Sequence, residues 1–212
     1  MKGLLLKDLY NMKVFSKTLF ALVAMMAVFG VMMNNPSYIC AMTIVMSLSV
    51  SMNGIALDEK AHWDQYAMTF PVTRRMLVLE KMILMVSITL AGGVLAIVIG
   101  GTMTVVTGGN LPLLLLGCVT GMGVVMIMQS VLMPILLKLG TENARFAMIA
   151  VLAAPAVLIV LVVRSGKIPM EVLEENVYFW IRMGSGLMVL AGIAALFVSY
   201  WISVRIYEKK EW

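Results

Sequence analysis

The sequence has little of the chemistry that enzymes use. Its 212 residues include one histidine and two cysteines, and only 13% are charged. A single histidine cannot build a zinc site, and no stretch has the glycine and lysine spacing of a phosphate-binding loop. Soluble domains carry about 25% charged residues, so this composition excludes a soluble enzyme. The apolar content of 62% equally excludes a disordered chain.

The long apolar runs also lack acidic groups and paired nucleophiles. No aspartate or glutamate lies deep inside one of them, whereas carriers driven by protons or sodium usually need an ionisable group within the membrane. Ser47, Ser49 and Ser51 have no buried histidine to act as a base for hydrolysis. We therefore predict no catalytic, metal-binding or cofactor-binding residues, and we expect any energy for transport to come from another polypeptide.

What the sequence does have is a series of apolar runs, with a mean hydropathy of +1.00. Runs of this length without period-two alternation are typical of membrane-spanning helices. We predict an all-α integral membrane protein with six transmembrane helices within residues 18–212. The predicted spans are Thr18–Met33, Ser37–Leu57, Met82–Thr107, Leu113–Leu137, Phe146–Val163 and a sixth that starts within 178–183 and ends near Val204.

The distribution of positive charge predicts the orientation. If the N-terminus is cytoplasmic, all lysines and arginines except Arg164, Lys167 and Arg182 fall in inner segments, so the positive-inside rule places both termini in the cytoplasm. Basic residues scattered between spans do not favour nucleic-acid binding. Residues 1–17 have apolar positions near helical spacing among lysines, which predicts an amphipathic helix in the inner interface. The alternative is an irregular basic tail.

The loop at residues 58–81 is the longest inner connection and by far the richest in charge and aromatic side chains. Trp63 and Tyr66 are three residues apart, so on a helix they share a face. Pro71 ends that helix, and a second helix can start near Val72 and continue into the third span. A short helix with an aromatic and charged face suits docking to a soluble partner. The alternative is a loop whose aromatic side chains anchor at the lipid headgroups.

This loop and the predicted topology resemble the small membrane subunits of type-2 ABC exporters, most closely the branch of phenol-soluble modulin exporters. The resemblance implies that Asp58 to Tyr66 form the coupling helix that docks in a separate ATPase. It also implies that Pro71, Arg74 and Arg75 cap the link to the third span, and that 164–182 is an outer re-entrant element. The implied ATPase-coupling residues are Asp58, Glu59, His62, Trp63, Tyr66, Pro71, Arg74 and Arg75.

The resemblance further implies the partners of the chain. These are two copies of an ABC ATPase that bind ATP and magnesium, a second permease copy as a homodimer or similar pair, and the lipid bilayer. The expected location is a bacterial plasma membrane, and the expected cargo is an amphipathic peptide or lipid-like molecule moved out of the cell. The alternative function is a non-transporting sensor or immunity protein that binds membrane-active peptides through residues 164–182.

Weakly polar and sulfur-containing residues within the spans suggest a substrate path. Thr43, Ser47 and Ser51 fall on one arc of the second span, and Gln129 lies in mid-membrane in the fourth. Met42 and Met46 recur at helical spacing, and methionine adapts to varied apolar ligands. The alternatives are helix packing for the polar arc and core or lipid-facing filler for the methionines.

Small residues indicate where the spans pack closely. Gly92, Gly93, Gly100 and Gly101 in the third span permit close approach or bending. Cys40 and Cys118 fall at comparable depth in two spans. We expect two buried free thiols there, and a disulfide bridge is the alternative.

Overall fold

The computed structural model describes residues 36–70, 72–164 and 177–209, and before them positions 7, 10, 13, 21, 23–25, 28, 30 and 32. Those earlier positions are all helical. The predicted interfacial helix over 1–17, the first span and the outer element at 164–182 fall largely outside the described residues, and Pro71 falls outside entirely. The predictions for these segments remain predictions.

The described residues form helices and turns, and no strand occurs among them. The five helices are α1 (Pro36–Lys60), α2 (Trp63–Ala67), α3 (Arg74–Thr107), α4 (Leu111–Arg164) and α5 (Val177–Glu208). Among the described residues, three stretches are long and apolar enough to cross a membrane: Arg74–Thr107, Leu111–Thr141 and Arg182–Glu208. The all-helical prediction is therefore confirmed for the described part of the chain.

The turn between α3 and α4 lies where glycine, asparagine and proline cluster in the sequence. Gly108 ends α3 in the left-handed region, with φ 69° and ψ 23°, and its backbone N–H donates to the Thr104 carbonyl. Glycine adopts this conformation without the steric penalty of a side chain. The Asn110 side-chain oxygen then accepts from the backbone N–H of Leu113 at 3.2 Å and caps α4. These residues therefore form the turn that joins α3 to α4.

Between the predicted fourth and fifth spans, only Gly140 departs from helical geometry. Gly140 has φ 79° and ψ 163° inside α4, where all neighbouring residues are helical. This region of backbone space is essentially restricted to glycine. The inner loop predicted between these spans is thus reduced to a sharp break at Gly140.

The helices pack through small residues on facing surfaces. Gly123 of α4 lies against the backbone of Met188 in α5, and Gly100 of α3 lies against the Cys40 thiol of α1. Gly93 of α3 faces Met122 of α4, and Gly101 lies near Leu111 at the start of α4. Close backbone approach is the main source of packing energy between helices in lipid. Cys40 and Cys118 are both buried and free, as expected.

Four parts of the chain meet at one end of the bundle. Hydrogen bonds connect the end of α1, the start of α3, the break at Gly140 and the end of α5. Lys7 reaches the same place through Asp58. We call this the loop end; it comprises residues 58–70, 72–75, 140–141 and 205–208 together with Lys7. Described residues from each segment predicted to be cytoplasmic therefore lie on one side of the bundle.

Candidate functional site

The backbone of the loop end differs from the single coupling helix predicted over Asp58–Tyr66. The predicted second span continues as α1 to Lys60, and His62 then adopts a left-handed conformation with φ 48° and ψ 33°. The helix that follows, α2, holds only Trp63–Ala67. Asp58 and Glu59 consequently belong to the last turn of α1, because the left-handed residue interrupts the helix between them and Trp63. The prediction of one continuous helix from Asp58 was wrong.

A buried group of charges fixes α2 against the bundle. The Lys81 ammonium lies 2.8 Å from Asp64 Oδ1 and 3.8 Å from Asp58 Oδ2. Lys7 Nζ donates to Asp58 Oδ1 at 2.6 Å. Lys81 and Asp58 are both nearly completely buried, so neither charge is hydrated and each depends on the other. These contacts connect α2 to α1, α3 and the N-terminal segment.

Three aromatic rings form the outer surface of this end. Trp63 and Tyr66 share a face as predicted, with ring centroids 5.6 Å apart, and Phe70 meets Tyr66 edge-on at 5.2 Å. Trp63 is half-buried and lies under the Lys7 ammonium, 4.3 Å from the ring centroid. Tyr66 and Phe70 remain 56% and 47% exposed. Trp63 thus anchors the loop, whereas Tyr66 and Phe70 form its accessible surface.

Arg74 and Arg75 bind the end of α5 rather than capping the link between α2 and α3. Arg74 donates to the backbone carbonyls of Tyr207 at 3.3 Å and Glu208 at 2.6 Å. Arg75 pairs with the Glu208 carboxylate at 2.9 Å. A cation at a helix C-terminus satisfies carbonyls that have no partner within the helix. The cap of α3 itself is Thr73, whose hydroxyl accepts from the Met76 N–H at 3.4 Å.

Glu59 connects the end of α1 to the break in α4. Its Oε2 accepts from the backbone N–H of Thr141 at 2.6 Å, where the helix restarts after Gly140. A carboxylate at the start of a helix satisfies an open N–H group and interacts favourably with the helix dipole. Glu59 therefore makes the loop end continuous from α1 through to the second part of α4.

We predict that Gly140→Ala lowers the free energy of unfolding by about 2 kcal/mol. The added Cβ would lie 2.5 Å from Glu59 Oε1, so the carboxylate must move and lose its bond to Thr141, and the backbone is strained as well. Denaturant unfolding in detergent micelles measures the effect.

The matched control for this variant is Gly108→Ala. Gly108 also has a positive φ, but a methyl group added there would meet no atom within 4 Å. Only the backbone cost of about 1 kcal/mol is expected there. Equal losses at the two glycines would show that Glu59 contributes nothing at the break.

A buried polar cluster joins three helices in the middle of the bundle. Gln129 Nε2 of α4 donates to Thr89 Oγ1 of α3 at 2.9 Å and to Ser51 Oγ of α1 at 3.2 Å. Ser51 in turn donates to the Ser47 carbonyl at 2.8 Å. All three side chains of the cluster are buried, and hydrogen bonds between helices stabilise packing in lipid. In this conformation they hold helices together.

The other predicted path residues lie apart from this cluster. Met46 is half-buried on α1, whereas the side chains of Met42 and Thr43 lie outside the described part of the structure. Toward the end of the bundle opposite the loop end, α1 and α4 enclose an open apolar cavity of about 660 Å³. Cys40, Ile44, Thr120 and Met128 line it. The proposed path through Ser47, Ser51 and Gln129 remains a prediction.

Comparison with known proteins identifies the family. A family model described as ABC-2 family transporter protein matches residues 3–208. The chain belongs to the ABC-2 transporter family. No curated protein and no solved structure matched it. Family membership, together with three helices able to cross a membrane, makes the chain a multi-pass membrane protein.

Membership of the ABC-2 family confirms the family-level resemblance noted in the sequence. ABC-2 permeases are membrane transport components and are not themselves catalytic. Among the residues assigned to coupling, Asp58 and Trp63 contact Lys7, and Tyr66 packs on Trp63. Glu59 binds the start of the second part of α4, whereas Arg74 and Arg75 bind the end of α5. His62 lies at the exposed break between helices.

Three residues important to this ABC-2 loop were left out of the predicted coupling set. Lys7 and Lys81 supply the cations of the buried group, and Phe70 completes the aromatic surface. Lys81 directly precedes the apolar run from Met82, and a lysine at the edge of a buried helix needs an acidic partner. That position is a signal for pairing, although sequence alone cannot say which acid is its partner.

Proposed function

We propose that the chain is the permease subunit of an ATP-driven exporter and that a separate ATPase drives it through α2. The observation that carries this proposal is the arrangement of the loop end. Tyr66 of α2 and Phe70 just beyond it are exposed for contact, while buried ion pairs fix α2 to the bundle. A partner that moves α2 would therefore move the spans as well.

Displacement at the loop end can reach every described helix. Asp64 and Lys81 connect α2 to α3, Glu59 reaches α4, and Arg74 holds the end of α5. Because packed helices shift as rigid elements, such contacts convert motion of one loop into movement of several spans. This supports a coupling role better than a loop that only anchors at the headgroups.

The finer assignments also belong to this proposal. The loop end faces the cytoplasm, six spans cross a bacterial plasma membrane, and two permease copies work with two ATPase subunits that hold ATP and magnesium. The chain itself carries no cofactor. The cargo is an amphipathic peptide or lipid-like molecule, as in the branch of phenol-soluble modulin exporters. Gathering of the basic inner segments at one end supports the predicted orientation.

Co-purification tests the docking surface. The His-tagged protein is co-expressed with the ATPase encoded beside it, and the captured ATPase is quantified after detergent extraction. We expect Tyr66→Asp and Phe70→Asp each to weaken capture by about 30-fold or more, the effect of losing a central interface residue. Both side chains are exposed, so the folded bundle should survive.

Tyr66→Phe is the matched control, because it keeps the ring and adds no charge. It should retain the ATPase at the wild-type level, and gel filtration should show the same elution for all variants. Wild-type protein that captures no ATPase, or an Asp variant that captures it normally, would refute docking through this surface.

A further inference from the structure

The last turns of α5 present an apolar side that no described helix covers. Phe197 and Trp201 are 71% and 66% exposed, and Val198 and Ile202 lie beside them. Together with Arg205 they line an open groove of about 420 Å³. In a membrane-spanning helix, an exposed aromatic and aliphatic surface faces lipid.

The opposite side of the same helix fixes this orientation. Ser199, Ser203 and Tyr207 are buried in the bundle, as is Val204. Arg74 also holds the terminal carbonyls of α5. Because the helix cannot rotate without exposing these groups, Arg205 stays on the side that faces lipid.

Arg205 is a cation without a protein anion among the described residues. Its guanidinium lies 5.2 Å from the centre of the Trp201 ring. The acidic residue next along the helix, Glu208, is paired with Arg75 at 2.9 Å. Lys209 is exposed immediately beyond the helix and adds positive charge. Arg205 therefore places an unbalanced positive charge beside the apolar groove, one turn before the end of α5.

We infer that this surface, formed by Phe197, Trp201, Ile202 and Arg205, binds an anionic phospholipid. The guanidinium would hold the headgroup phosphate through charge-assisted hydrogen bonds, and an acyl chain would lie in the groove along Phe197. Trp201 lies near the end of α5, and indole rings prefer the membrane interface, where such a helix end would lie. The same ring holds the Arg205 guanidinium in place through a cation–π contact. A negatively charged headgroup is preferred, because Arg205 and Lys209 leave excess positive charge at this end of α5. This inference does not rest on the proposed transport function.

Native mass spectrometry of the full-length protein tests the inference. Protein in neutral detergent is mixed with equal amounts of phosphatidylglycerol and phosphatidylcholine of identical acyl chains, and retained lipids are counted. Wild-type protein should retain more phosphatidylglycerol. Arg205→Gln should lower its retention about fivefold, as expected for one basic residue at a membrane surface, with phosphatidylcholine unchanged.

Two further variants separate this site from a general charge effect. Arg182→Gln removes an exposed cation near the other end of α5 and should leave retention unchanged. Arg205→Lys keeps the charge and should keep the preference for phosphatidylglycerol. Gel filtration confirms folding, which exposed Arg205 should not affect. Wild-type protein without a preference, or Arg205→Gln with the wild-type ratio of the two lipids, would overturn the inference.

Discussion

Replacing Lys81 with methionine is expected to lower the free energy of unfolding by about 3–5 kcal/mol. The variant keeps the length of the side chain but removes the cation that pairs with Asp64 at 2.8 Å and Asp58 at 3.8 Å. Asp58 is buried and keeps its contact with Lys7, but it would lose the Lys81 cation while its own charge stays out of water. Leaving a buried charge poorly compensated costs more than the ion pair itself contributes.

Denaturant unfolding in detergent micelles measures this loss, and Arg75→Gln is the matched control. Arg75 and Glu208 form an ion pair of similar length, 2.9 Å, but both side chains are largely exposed to solvent. Exposed pairs contribute little to stability, since water replaces the lost partner. Adding Asp64→Asn to Lys81→Met should restore part of the stability. If Lys81→Met and Arg75→Gln lowered the free energy of unfolding by similar amounts, the buried ion pairs of Lys81 would be no more important to stability than the exposed pair.

Replacing Gly123 with alanine is expected to lower the free energy of unfolding by about 3 kcal/mol, which is at the upper end of the cost of inserting a methyl group into a well-packed site. The added Cβ would lie 2.8 Å from the Met188 backbone carbon and 2.9 Å from its oxygen. Backbone atoms cannot turn aside as a flexible side chain can, so α4 and α5 would have to separate. That separation would also weaken the contact at Gly192, which faces the Gly123 carbonyl.

Gly117→Ala provides the comparison on the same helix. A methyl group at Gly117 meets no atom within 4 Å, and alanine favours helix more than glycine does. Its stability should therefore be unchanged or slightly higher. Thermal unfolding in detergent, followed by circular dichroism, distinguishes the two variants. A Gly123→Ala protein as stable as wild type would show that α4 and α5 are not in close backbone contact.

Local chemistry made the helix ends predictable. The glycines and the proline at 108–112 identify the end of α3, and Pro36 begins α1 where a missing N–H costs nothing. The second helix predicted to start near Val72 is the beginning of α3, which Thr73 caps. These features depend on residues adjacent in the chain, so the pattern of the sequence was sufficient.

The interruption at His62 was not predictable in the same way. Residues 58–66 have ordinary helix-forming composition, and nothing local requires a histidine to adopt φ 48°. Pairing of Asp64 with Lys81 and of Asp58 with Lys7 bends the chain there, because buried charges must meet their partners. Those pairs join residues far apart in the sequence, and no pattern within the loop identifies them.

The polar residues within the spans show the same difference between what the sequence predicts and what only tertiary contacts decide. Gln129 and Ser51 were identifiable as unusual groups in apolar runs, but the sequence left packing and a substrate path as alternatives. Only the tertiary structure places Gln129 between Thr89 and Ser51 and closes the cluster. Hydrogen bonding between helices depends on their rotation and depth, and neither is fixed by the order of residues along one helix.

By itself the sequence determined that this protein is helical and embedded in the membrane, and where its most polar loop lies. Long apolar runs leave a backbone no other way to satisfy its hydrogen bonds in lipid. The tertiary structure alone decided which loop residues are anchored and which are exposed, and that Arg74 and Glu59 bind other helices. The energy of an ion pair depends on the distance between its two charges in space, and the packing of the helices sets that distance.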